Sequence, residues 1–475
     1  MARSLPSALL AGLFLAALAP AAEKPYEPTW ESLKKHQEAP EWFRDAKFGI
    51  YTHWGPCTQA NSMVPSGASG WYGRQMYKKG SKTYRAHKKH LGPPSKFGYH
   101  DFIPKFTAGK FDADRWAALF KKAGARFAGP VAEHHDGFSM WDSDVTPWNA
   151  TDMGPKKDIA GRLEKAIRKR GMKFVMTFHH AACGRFSTKG GQKMPWWFPK
   201  SEEMGNLEPT YRKLYGNMPA EEFYTMWKAK LIECIDKYRP DLMWFDSGLD
   251  AVPDRHKTEY LAYYFNKAED WGKEVGVTYK QKDLPPEVGI LDHERGRENR
   301  LTEYVWLTDD SGGSWFYHSP AYKGSGWVVV QLIEIVSRNG CLLLNVPPRA
   351  DGTFSDQVKT CLRGVGVWLA VNGEAIYGTR PWKTCKEGDD IRFTRSKRWD
   401  AVYVICLTWP GEELRVRALA AGSALCPEDI EEVRMLGVKK ELTWSRNKEA
   451  LEVALPEEPP CKHAYALRVE LKGGT

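Results

Sequence analysis

Several apolar stretches of this chain end abruptly in side chains that can transfer protons, bind metals or hold sugars. In PVAEHHDGFSMWDSD, residues 130–144, an apolar run is followed by two histidines and an aspartate. The five polar endings are His53 and Trp54; His134, His135 and Asp136; His179 and His180; Asp246; and Asp292, His293, Glu294 and Arg295. Core packing alone does not explain five such endings, so we expect these side chains to meet at one site.

The elements that would position these side chains alternate between strands and helices. Short apolar runs alternate with amphipathic stretches between residues 45 and 375, which is typical of βα units and a parallel sheet. The strand candidates are KFGIYTHWG, RFAGPVAEHHDGF, MKFVMTFHH, PDLMWFDSG, EVGVTYK, EVGILDHERG and CLLLNVPPRADG. This pattern predicts a (β/α)8-like barrel, whose active site lies at the carboxyl ends of the strands. A doubly wound sheet is the alternative, but no GxGxxG motif follows a strand.

The two ends of the chain differ from this pattern. The first residues combine an early Arg3, an apolar run and an Ala-Pro-Ala end, which predicts a secretory signal peptide over residues 1–22. Beyond NGEAIYGTRPW, residues 372–382, short alternating stretches predict an antiparallel β-sandwich. We therefore expect a catalytic domain over residues 23–380 and a β-sandwich domain over residues 381–475. The protein should be secreted, whether to the extracellular space, the periplasm or a lysosome-like compartment.

Composition excludes several classes of protein. The net charge is +10, but the 69 Lys and Arg residues are dispersed along the chain, which argues against a nucleic-acid partner. The one dense basic stretch, residues 76–90, is expected to be an exposed loop. After the signal peptide no stretch approaches about 20 apolar residues, so we expect no membrane partner.

The nine cysteines include no CxxC pair, although one or two disulfides would be compatible with the count. Asn149 begins a glycosylation sequon, and the oligomeric state is not readable.

Two chemistries fit the polar endings. In the first, the histidines and Asp246 form a metal centre, as in metal-dependent barrel hydrolases. Adjacent histidines on a strand point to opposite faces, and the His-x-His spacing is absent, which disfavours this alternative. In the second, two carboxylates act on a glycosidic bond while histidines and tryptophans hold the sugar. The apolar run LMWF ends in Asp246, which makes it the candidate nucleophile, and 20 Trp, 20 Tyr and 20 Phe suit stacking on sugar rings.

A series of motifs resembles the α-L-fucosidases of glycoside hydrolase family 29. The motifs are EWFRDAKFGIYTHWG, FDADRWAALFKKAGARF, EHHDGFSMWDS, GPKKDI, YRPDLMWFDS, LLLNVPPRADGTF and VNGEAIYGTRPW, in the order of the family from about residue 28 to residue 382. The resemblance implies a retaining exo-α-L-fucosidase with a barrel and a C-terminal β-sandwich. Its substrate would be a fucosylated oligosaccharide or polysaccharide, cleaved through a fucosyl-aspartate intermediate without a metal or cofactor.

The resemblance also implies roles for single residues. The family nucleophile is the aspartate of a W-x-D strand, which falls on Asp246 with Trp244 beside it. The HWG histidine falls on His53 and the HHDGF pair on His134 and His135, which we expect to hydrogen-bond the sugar hydroxyls as neutral imidazoles. The aspartate after this pair should hold its loop. The predicted substrate-binding set is His53, Trp71, His134, His135, His179, Trp244 and Arg295.

The chain departs from the family pattern at three places. Many members have Glu-Trp where this chain has Gly70 and Trp71, and Tyr-Tyr-Ser where it has Thr-Phe-His-His at residues 177–180. Many also place their acid/base glutamate where this chain has Leu307. Because these glutamates are missing, a fucose-binding protein with a decayed active site is a further alternative.

The acid/base must therefore be another residue, and Glu294 is our prediction. Alternate residues of a strand share a face, so Glu294 would lie on the same face as Asp292 and nearer the open end of the barrel. Arg295 could then fix its geometry or contact the sugar. Glu303 is the rival, because it lies closer in sequence to the position of Leu307.

Overall fold

The protein is described by a computed structural model, which covers residues 25–184, 186–189, 192–195, 197–198 and 211–473. The predicted signal peptide lies outside these residues. The strands are β1 Phe48–Thr52, β2 Phe127–Glu133, β3 Lys173–Phe178, β4 Phe186–Lys189, β5 Gln192–Pro195, β6 Leu242–Phe245, β7 Gly276–Lys280, β8 Ile290–Asp292, β9 Trp306–Ser311, β10 Gly340–Asn345, β11 Lys386–Glu387, β12 Ile391–Arg395, β13 Ala401–Cys406, β14 Glu413–Val416, β15 Ile430–Met435, β16 Trp444–Arg446, β17 Leu451–Ala454 and β18 Tyr465–Leu471.

Eight of these strands close into a parallel barrel. The order around it is β1, β2, β3, β6, β7, β8, β9 and β10, and β10 pairs with β1. The α-helices are α1 Trp30–Leu33, α2 Glu41–Ala46, α3 Pro56–Met63, α4 Tyr72–Gln75, α5 Lys82–Leu91, α6 Ala113–Lys122, α7 Ile159–Lys169, α8 Arg212–Tyr215, α9 Ala220–Tyr238, α10 Asp254–Trp271, α11 Ser325–Val336 and α12 Asp356–Asn372. The predicted barrel is confirmed, and the doubly wound alternative is wrong.

The barrel departs from eightfold regularity on one side. The connections from β7 to β8 and from β8 to β9, residues 281–289 and 293–305, are fully described and contain no α-helix. Seven of the eight barrel strands were predicted from apolar runs, but β9 was not, because its sequence WLTDDS carries two aspartates. Both aspartates are buried. Residues 82–90 of the basic stretch, predicted as a loop, instead belong to α5, which Ser81 caps by accepting a hydrogen bond from the Tyr84 backbone N–H.

The barrel interior is filled by apolar side chains from all around the sheet. The cluster includes Tyr51, Phe127, Val131, Val175, Trp244, Ile290 and Leu343. Leu307 belongs to the same cluster and is fully buried. A glutamate at this position would be a charge in an apolar core, which is costly unless it is paired. The departure from the family pattern at Leu307 is therefore compatible with the packing of this barrel.

A domain of antiparallel sheets follows the barrel. One sheet has the strand order β11, β12, β13, β18 and β15, and a second has the order β14, β17 and β16. A separate apolar cluster that includes Phe393, Val404, Val416, Val453 and Leu467 draws on both sheets. The domain is tied to the barrel through α11, where Glu334 accepts a hydrogen bond of 2.6 Å from Arg392 of β12. The predicted boundary between the two domains, at residues 380 and 381, stays a prediction.

The cysteines and the glycosylation sequon at Asn149 are not used in the ways that the sequence would permit. All nine cysteines are among the described residues, and all nine are free thiols, so the disulfides that the count allowed are not formed. The side chain of Asn149 is fully buried, and its amide donates hydrogen bonds to Ser143 O, Thr146 O and Asp152 Oδ2. A glycan on this nitrogen would have to replace those bonds in a closed space. None of the helices among the described residues has the length and apolar character to cross a membrane.

Close packing of β2 against β3 gives a test of the barrel. A Cβ added to Gly129 would lie 1.7 Å from the backbone oxygen of Val175, which cannot rotate away. We predict that Gly129→Ala lowers the free energy of unfolding by roughly 1 to 3 kcal/mol or more, because overpacking forces the backbones apart. Chemical denaturation measures the change. Gly109→Ala is the control, since Gly109 is exposed and its nearest neighbour, Thr107 Oγ1, lies 3.8 Å from the added atom. Equal stability of the two variants would contradict the prediction.

Candidate active site

A cavity of about 140 Å³ opens at the carboxyl ends of the barrel strands. The lining side chains come from the ends of seven different strands and the loops that follow them. They are His53, Gly70, Trp71, His134, His135, His179, Ala182, Trp197, Trp244, Asp246, Ser247, Lys280, Glu294, Asp309 and Trp315. The cavity therefore brings together eight of the nine residues predicted from the sequence. Arg295 is the exception.

Asp246 lies directly after β6, where its backbone N–H donates a 3.0 Å hydrogen bond to Phe178 O of β3. Its carboxylate lies 3.4 Å from His135 Nε2 and 3.2 Å from Lys280 Nζ. Burial alone would raise the pKa of this carboxyl group, but the positive charge of Lys280 and the hydrogen bond from His135 outweigh it and hold the pKa well below its usual range. The side chain is thus an ionised carboxylate facing the cavity.

Lys280, at the end of β7, is the centre of the charged groups. Its ammonium lies 3.0 Å from Asp309 Oδ1, 3.2 Å from Asp246 Oδ1, 3.4 Å from Glu294 Oε2 and 3.6 Å from Asp292 Oδ2. Burial lowers the pKa of a lysine, but these carboxylates outweigh burial and raise it well above its usual value. Lys280 is therefore a permanent cation that lets several acids share a small volume.

Glu294 lies just beyond β8 and keeps about half of its side chain exposed, at 49%. The ladder between β8 and β9 continues past the strand end, because His293 N–H donates to Leu307 O and Arg295 N–H to Asp309 O. Residues of this extension alternate as predicted. Asp292 and Glu294 both lie near Lys280, whereas His293 faces away and pairs with Glu298 at 3.1 Å.

The pKa of Glu294 moves in the direction opposite to that of Asp246. Burial raises it, Asp309 and Asp246 raise it further, and Lys280 lowers it in part, so that the net pKa is above the usual value. Two carboxyl groups with pKa values pushed apart are the arrangement that acid/base catalysis requires. One group is ionised and the other holds its proton to higher pH.

Lys280 also limits the distance between these two carboxyl groups. Its nitrogen lies 3.2 Å from Asp246 Oδ1 and 3.4 Å from Glu294 Oε2, so the two oxygens are separated by no more than the sum of these distances. Retaining glycosidases keep their two carboxyl groups roughly 5 to 5.5 Å apart, and inverting enzymes about 6.5 to 9.5 Å. This upper limit on the distance between Asp246 Oδ1 and Glu294 Oε2 includes the range for retaining enzymes and excludes nearly all of the range for inverting enzymes.

Asn345, at the end of β10, fixes the orientation and tautomer of His53. Its amide nitrogen donates to Ser311 Oγ and to Trp315 O, so its oxygen is left to accept from His53 N–H at 3.0 Å and His53 Nδ1 at 2.9 Å. His53 therefore carries its proton on Nδ1 and presents a lone pair on Nε2, 3.1 Å from His179 Nε2. Burial lowers the pKa of His53 to about 4, so the ring is neutral.

The adjacent histidines are arranged differently in the two pairs. His134 and His135 both line the cavity, because β2 ends at Glu133 and the pair lies in the loop beyond the strand alternation. Our expectation of one inward histidine per pair is therefore wrong for this pair. It holds for the second, in which His179 lines the cavity while His180 turns to Glu133 at 3.4 Å.

Asp136 holds the loop behind the first pair, as expected. One carboxylate oxygen accepts a 2.5 Å hydrogen bond from Tyr99 OH and the other accepts from the Phe138 backbone N–H. Burial raises the pKa of Asp136 to about 6. The carboxyl group is buried and does not line the cavity, so its part is to keep the loop in place.

Three of the cavity histidines also have the spacing of a metal site. His53, His134 and His179 each offer a ring nitrogen, and these nitrogens lie within 4.8 Å of one another. Neutral imidazoles are suitable ligands for zinc or copper. The same lone pairs and N–H groups can hydrogen-bond a sugar, so geometry alone fits either ligand.

The predicted aromatic and basic residues occupy different depths. Trp244 forms part of the floor, where its ring lies 5.0 Å from Lys280 Nζ and its Nε1 donates to Asp292 Oδ2. Trp71 lies at the rim and is 45% exposed. Arg295 packs on the ring of Trp315 at 4.6 Å and donates to Gly313 O. Arg295 thus supports a wall of the cavity from outside.

Sequence reasoning missed Lys280, Asp309 and Asn345. Lys280 is the last residue of the predicted strand EVGVTYK, so its position at the carboxyl end of a barrel strand was a usable sequence signal. Asp309 belongs to the strand that was not predicted, and its role depends on neighbours distant in sequence: Tyr51 OH donates to it at 2.8 Å. Asn345 ends the quoted run CLLLN but gives no local sign that its partner is His53.

A parallel barrel with two carboxyl groups of opposite pKa shift at its mouth is the arrangement expected of a glycoside hydrolase. The family model described as alpha-L-fucosidase matches residues 13–374, and that of the alpha-L-fucosidase C-terminal domain matches residues 386–470. The chain belongs to the α-L-fucosidase family.

Individual relatives agree with this assignment over nearly the whole chain. The plasma alpha-L-fucosidase of Homo sapiens is 33% identical over 467 residues, which cover 93% of this chain and 92% of that protein. The tissue alpha-L-fucosidase of Bos taurus is 31% identical over 474 residues, covering 94% and 91%. The structure is similar to that of a Thermotoga maritima alpha-fucosidase in complex with a mechanism-based inhibitor, with a TM-score of 0.75, 31% identity, and coverage of 94% and 100%.

Proposed function

We propose that this protein is a secreted, retaining exo-α-L-fucosidase that releases terminal α-L-fucose through a covalent intermediate on Asp246. The observation that carries the proposal is the pair of Asp246 and Glu294 around Lys280. Their pKa values are shifted in opposite directions, and their separation is limited by the shared ammonium. This arrangement suits a nucleophile and an acid/base that act on the two sides of one bond.

In the first step, the ionised carboxylate of Asp246 attacks the anomeric carbon of the fucosyl unit. The bond from that carbon to the leaving oxygen breaks, and the protonated Glu294 gives its proton to this oxygen. The product is a fucosyl ester of Asp246 with inverted configuration. The exposure of Glu294 at the cavity mouth suits a group that must reach the leaving group and later water.

In the second step, the Glu294 carboxylate takes a proton from water as the water oxygen attacks the anomeric carbon. The ester bond to Asp246 breaks and the carboxylate is restored, so that two inversions give net retention. During both steps the neutral imidazoles of His53, His134 and His179 would hydrogen-bond the sugar hydroxyls. Each imidazole can pair one donor with one acceptor, which matches a hydroxyl.

The depth of the cavity supports action on a chain end. Its floor is formed by Trp244 and the buried carboxyl group of Asp309, and its volume of about 140 Å³ suits one sugar. A polysaccharide could not pass through such a floor. The substrate is therefore a terminal fucosyl group of an oligosaccharide or polysaccharide.

Removal of the nucleophile gives the most direct test. We predict that Asp246→Gly abolishes turnover of fucosides with poor leaving groups. Azide should partly restore turnover of an activated aryl fucoside and yield β-fucosyl azide, because the small anion attacks from the vacated face. Product analysis by NMR distinguishes the anomers. Turnover close to that of the wild type, with α-fucose as product, would remove Asp246 from the mechanism.

The assignment of the acid/base is tested by two glutamates. Glu294 lines the cavity, whereas Glu303 is exposed. The backbone oxygen of Glu303 accepts a hydrogen bond from the side-chain amide of Asn339. We predict that Glu294→Ala slows substrates with poor leaving groups far more than activated aryl fucosides, and that azide then gives the α-azide. Glu303→Ala is the control. Leaving-group dependence in Glu303→Ala, with none in Glu294→Ala, would transfer the role to Glu303.

Lys280 is predicted to set both limbs of the pH profile of kcat/KM. It lowers the pKa of Asp246, which must be ionised, and of Glu294, which must be protonated. Lys280→Met should raise both pKa values, so that the acidic and the alkaline limb move to higher pH. Lys280→Arg keeps the charge and is the matched control, with limbs near those of the wild type. A change in height alone would show that Lys280 does not tune these groups.

Metal dependence is the alternative that the three histidines allow. For a sugar-binding role, we predict that a chelator leaves turnover of an aryl α-L-fucoside unchanged, and that elemental analysis finds no stoichiometric zinc. Activity that is lost with the chelator and restored by zinc would favour the metal-dependent hydrolase. Fucose binding without any release of the phenol would instead favour a decayed enzyme.

Secretion is proposed from the sequence of the first residues. Arg3, the apolar run and the Ala-Pro-Ala end have the order of a signal peptide cleaved near residue 22. N-terminal sequencing of the exported protein would show a chain that begins there. Retention in the cell with an intact N-terminus would contradict the proposal.

A further inference from the structure

Gly70 lies in the wall of the cavity at a place where a side chain would fit. A Cβ built on it would lie 3.4 Å from Phe316 Cδ2 and 3.5 Å from His134 Cε1, which are ordinary contacts. Its φ is outside the left-handed region, so the backbone does not require glycine. Gly70 therefore leaves a notch between Phe316 and His134, which we call the Gly70 notch.

The walls of the Gly70 notch are held in place from both sides. The Ser69 hydroxyl lies 3.1 Å from the Phe316 backbone nitrogen, which donates to it, and Ser69 O accepts a 2.9 Å hydrogen bond from Asn61. The Phe316 ring packs edge-on against His134, with ring centres 4.8 Å apart. The notch is thus preformed, which lowers the cost of placing a ligand group there.

The chemistry of the notch favours an uncharged group. One wall is the imidazole of His134, which is packed among the rings of His53, His179 and Phe316. The other wall is the aromatic ring of Phe316. Among the described residues that line the cavity, Lys280 is the one lysine or arginine, and four carboxyl groups already surround it. The Phe316 ring offers an anionic group neither a cation nor a hydrogen-bond donor, and burying an anion against it without a partner would be costly.

We propose that the Gly70 notch admits a fucosyl unit in which one ring hydroxyl carries a small uncharged group, such as a methyl ether or an acetate ester. The substituted hydroxyl oxygen would contact His134, and the group that it carries would lie against Phe316 and the Gly70 backbone. The inference rests on the proposed function, because it concerns which fucosides the same cavity accepts. Gly70 is then a residue that determines specificity.

Three mono-O-methyl isomers of an aryl α-L-fucoside, at O2, O3 and O4, test the proposal. We expect one isomer to be cleaved with kcat/KM within about tenfold of the unsubstituted fucoside, since one position faces the notch and the others face filled walls. A sulfate ester at the accepted position should be cleaved far more slowly than the methyl ether. Faster cleavage of the sulfate ester, or cleavage of none of the methyl ethers, would overturn the proposal.

Substitution of Gly70 shows whether the notch is responsible. The ratio of kcat/KM for the accepted methyl ether to that for the unsubstituted fucoside should fall in Gly70→Ala and fall by more than about tenfold in Gly70→Val, as the side chain fills the space. Gly109→Val is the control and should keep the wild-type ratio, because Gly109 is exposed and does not line the cavity. An equal loss for both substrates in Gly70→Val would overturn the proposal. Melting temperatures verify that the variants are folded.

Binding separates this inference from the proposed function. Calorimetry with the wild-type protein and with Asp246→Gly measures the affinity for fucose and for its three mono-O-methyl ethers without turnover. We expect one ether to bind with affinity similar to that of fucose, and Gly70→Val to weaken that ether selectively. If the aryl fucosides are not cleaved but this selectivity is found, the proposed function fails and the notch stands. Fucose binding with no binding of any ether would refute the notch.

Discussion

The ammonium of Lys280 is the interaction on which the rest of the site depends. Four carboxyl groups approach it within 3.6 Å, in a space where like charges without a cation would repel each other and lose their hydration. The same charge keeps Asp246 ionised, although burial acts in the opposite direction. The acid Glu294 is held at the edge of the group, where it is half exposed and its pKa is raised. One cation thus permits two carboxyl groups to differ in protonation at short range.

Backbone pairing between β8 and β9, and not a helical crossover, determines where Asp292 and Glu294 lie. β8 and β9 are joined without an α-helix in residues 293–305, yet their hydrogen-bonded ladder continues to Arg295. The extension carries the alternation of faces one residue pair beyond the strand, which places Glu294 above Asp292. Arg295 then packs on Trp315, which lines the cavity. The irregular side of the barrel therefore supplies both the acid and part of the cavity wall.

The strands whose apolar runs are continuous were predictable, and so were the side chains at their ends. His53, His134, His135, His179, Asp246 and Glu294 all line one cavity because parallel strands share one carboxyl edge. β9 was not predictable from hydrophobicity, since Asp309 is buried only because Lys280 and Tyr51, far away in sequence, are its partners. The inward turn of both His134 and His135 was missed because strand alternation was applied to this pair, whereas β2 ends at Glu133 and both histidines lie in the loop beyond it.

The nine unpaired thiols have a consequence for how the chain can be made. Eight of the nine are buried and Cys461 is partly covered, so the folded protein offers oxidants little access to sulfur. No covalent cross-link stabilises the fold, which means that the barrel and the sheet domain hold together through packing and polar contacts alone. A reducing cytoplasm should therefore yield the same folded protein as an oxidising compartment, and thiol reductants in the buffer should leave its thermal denaturation unchanged.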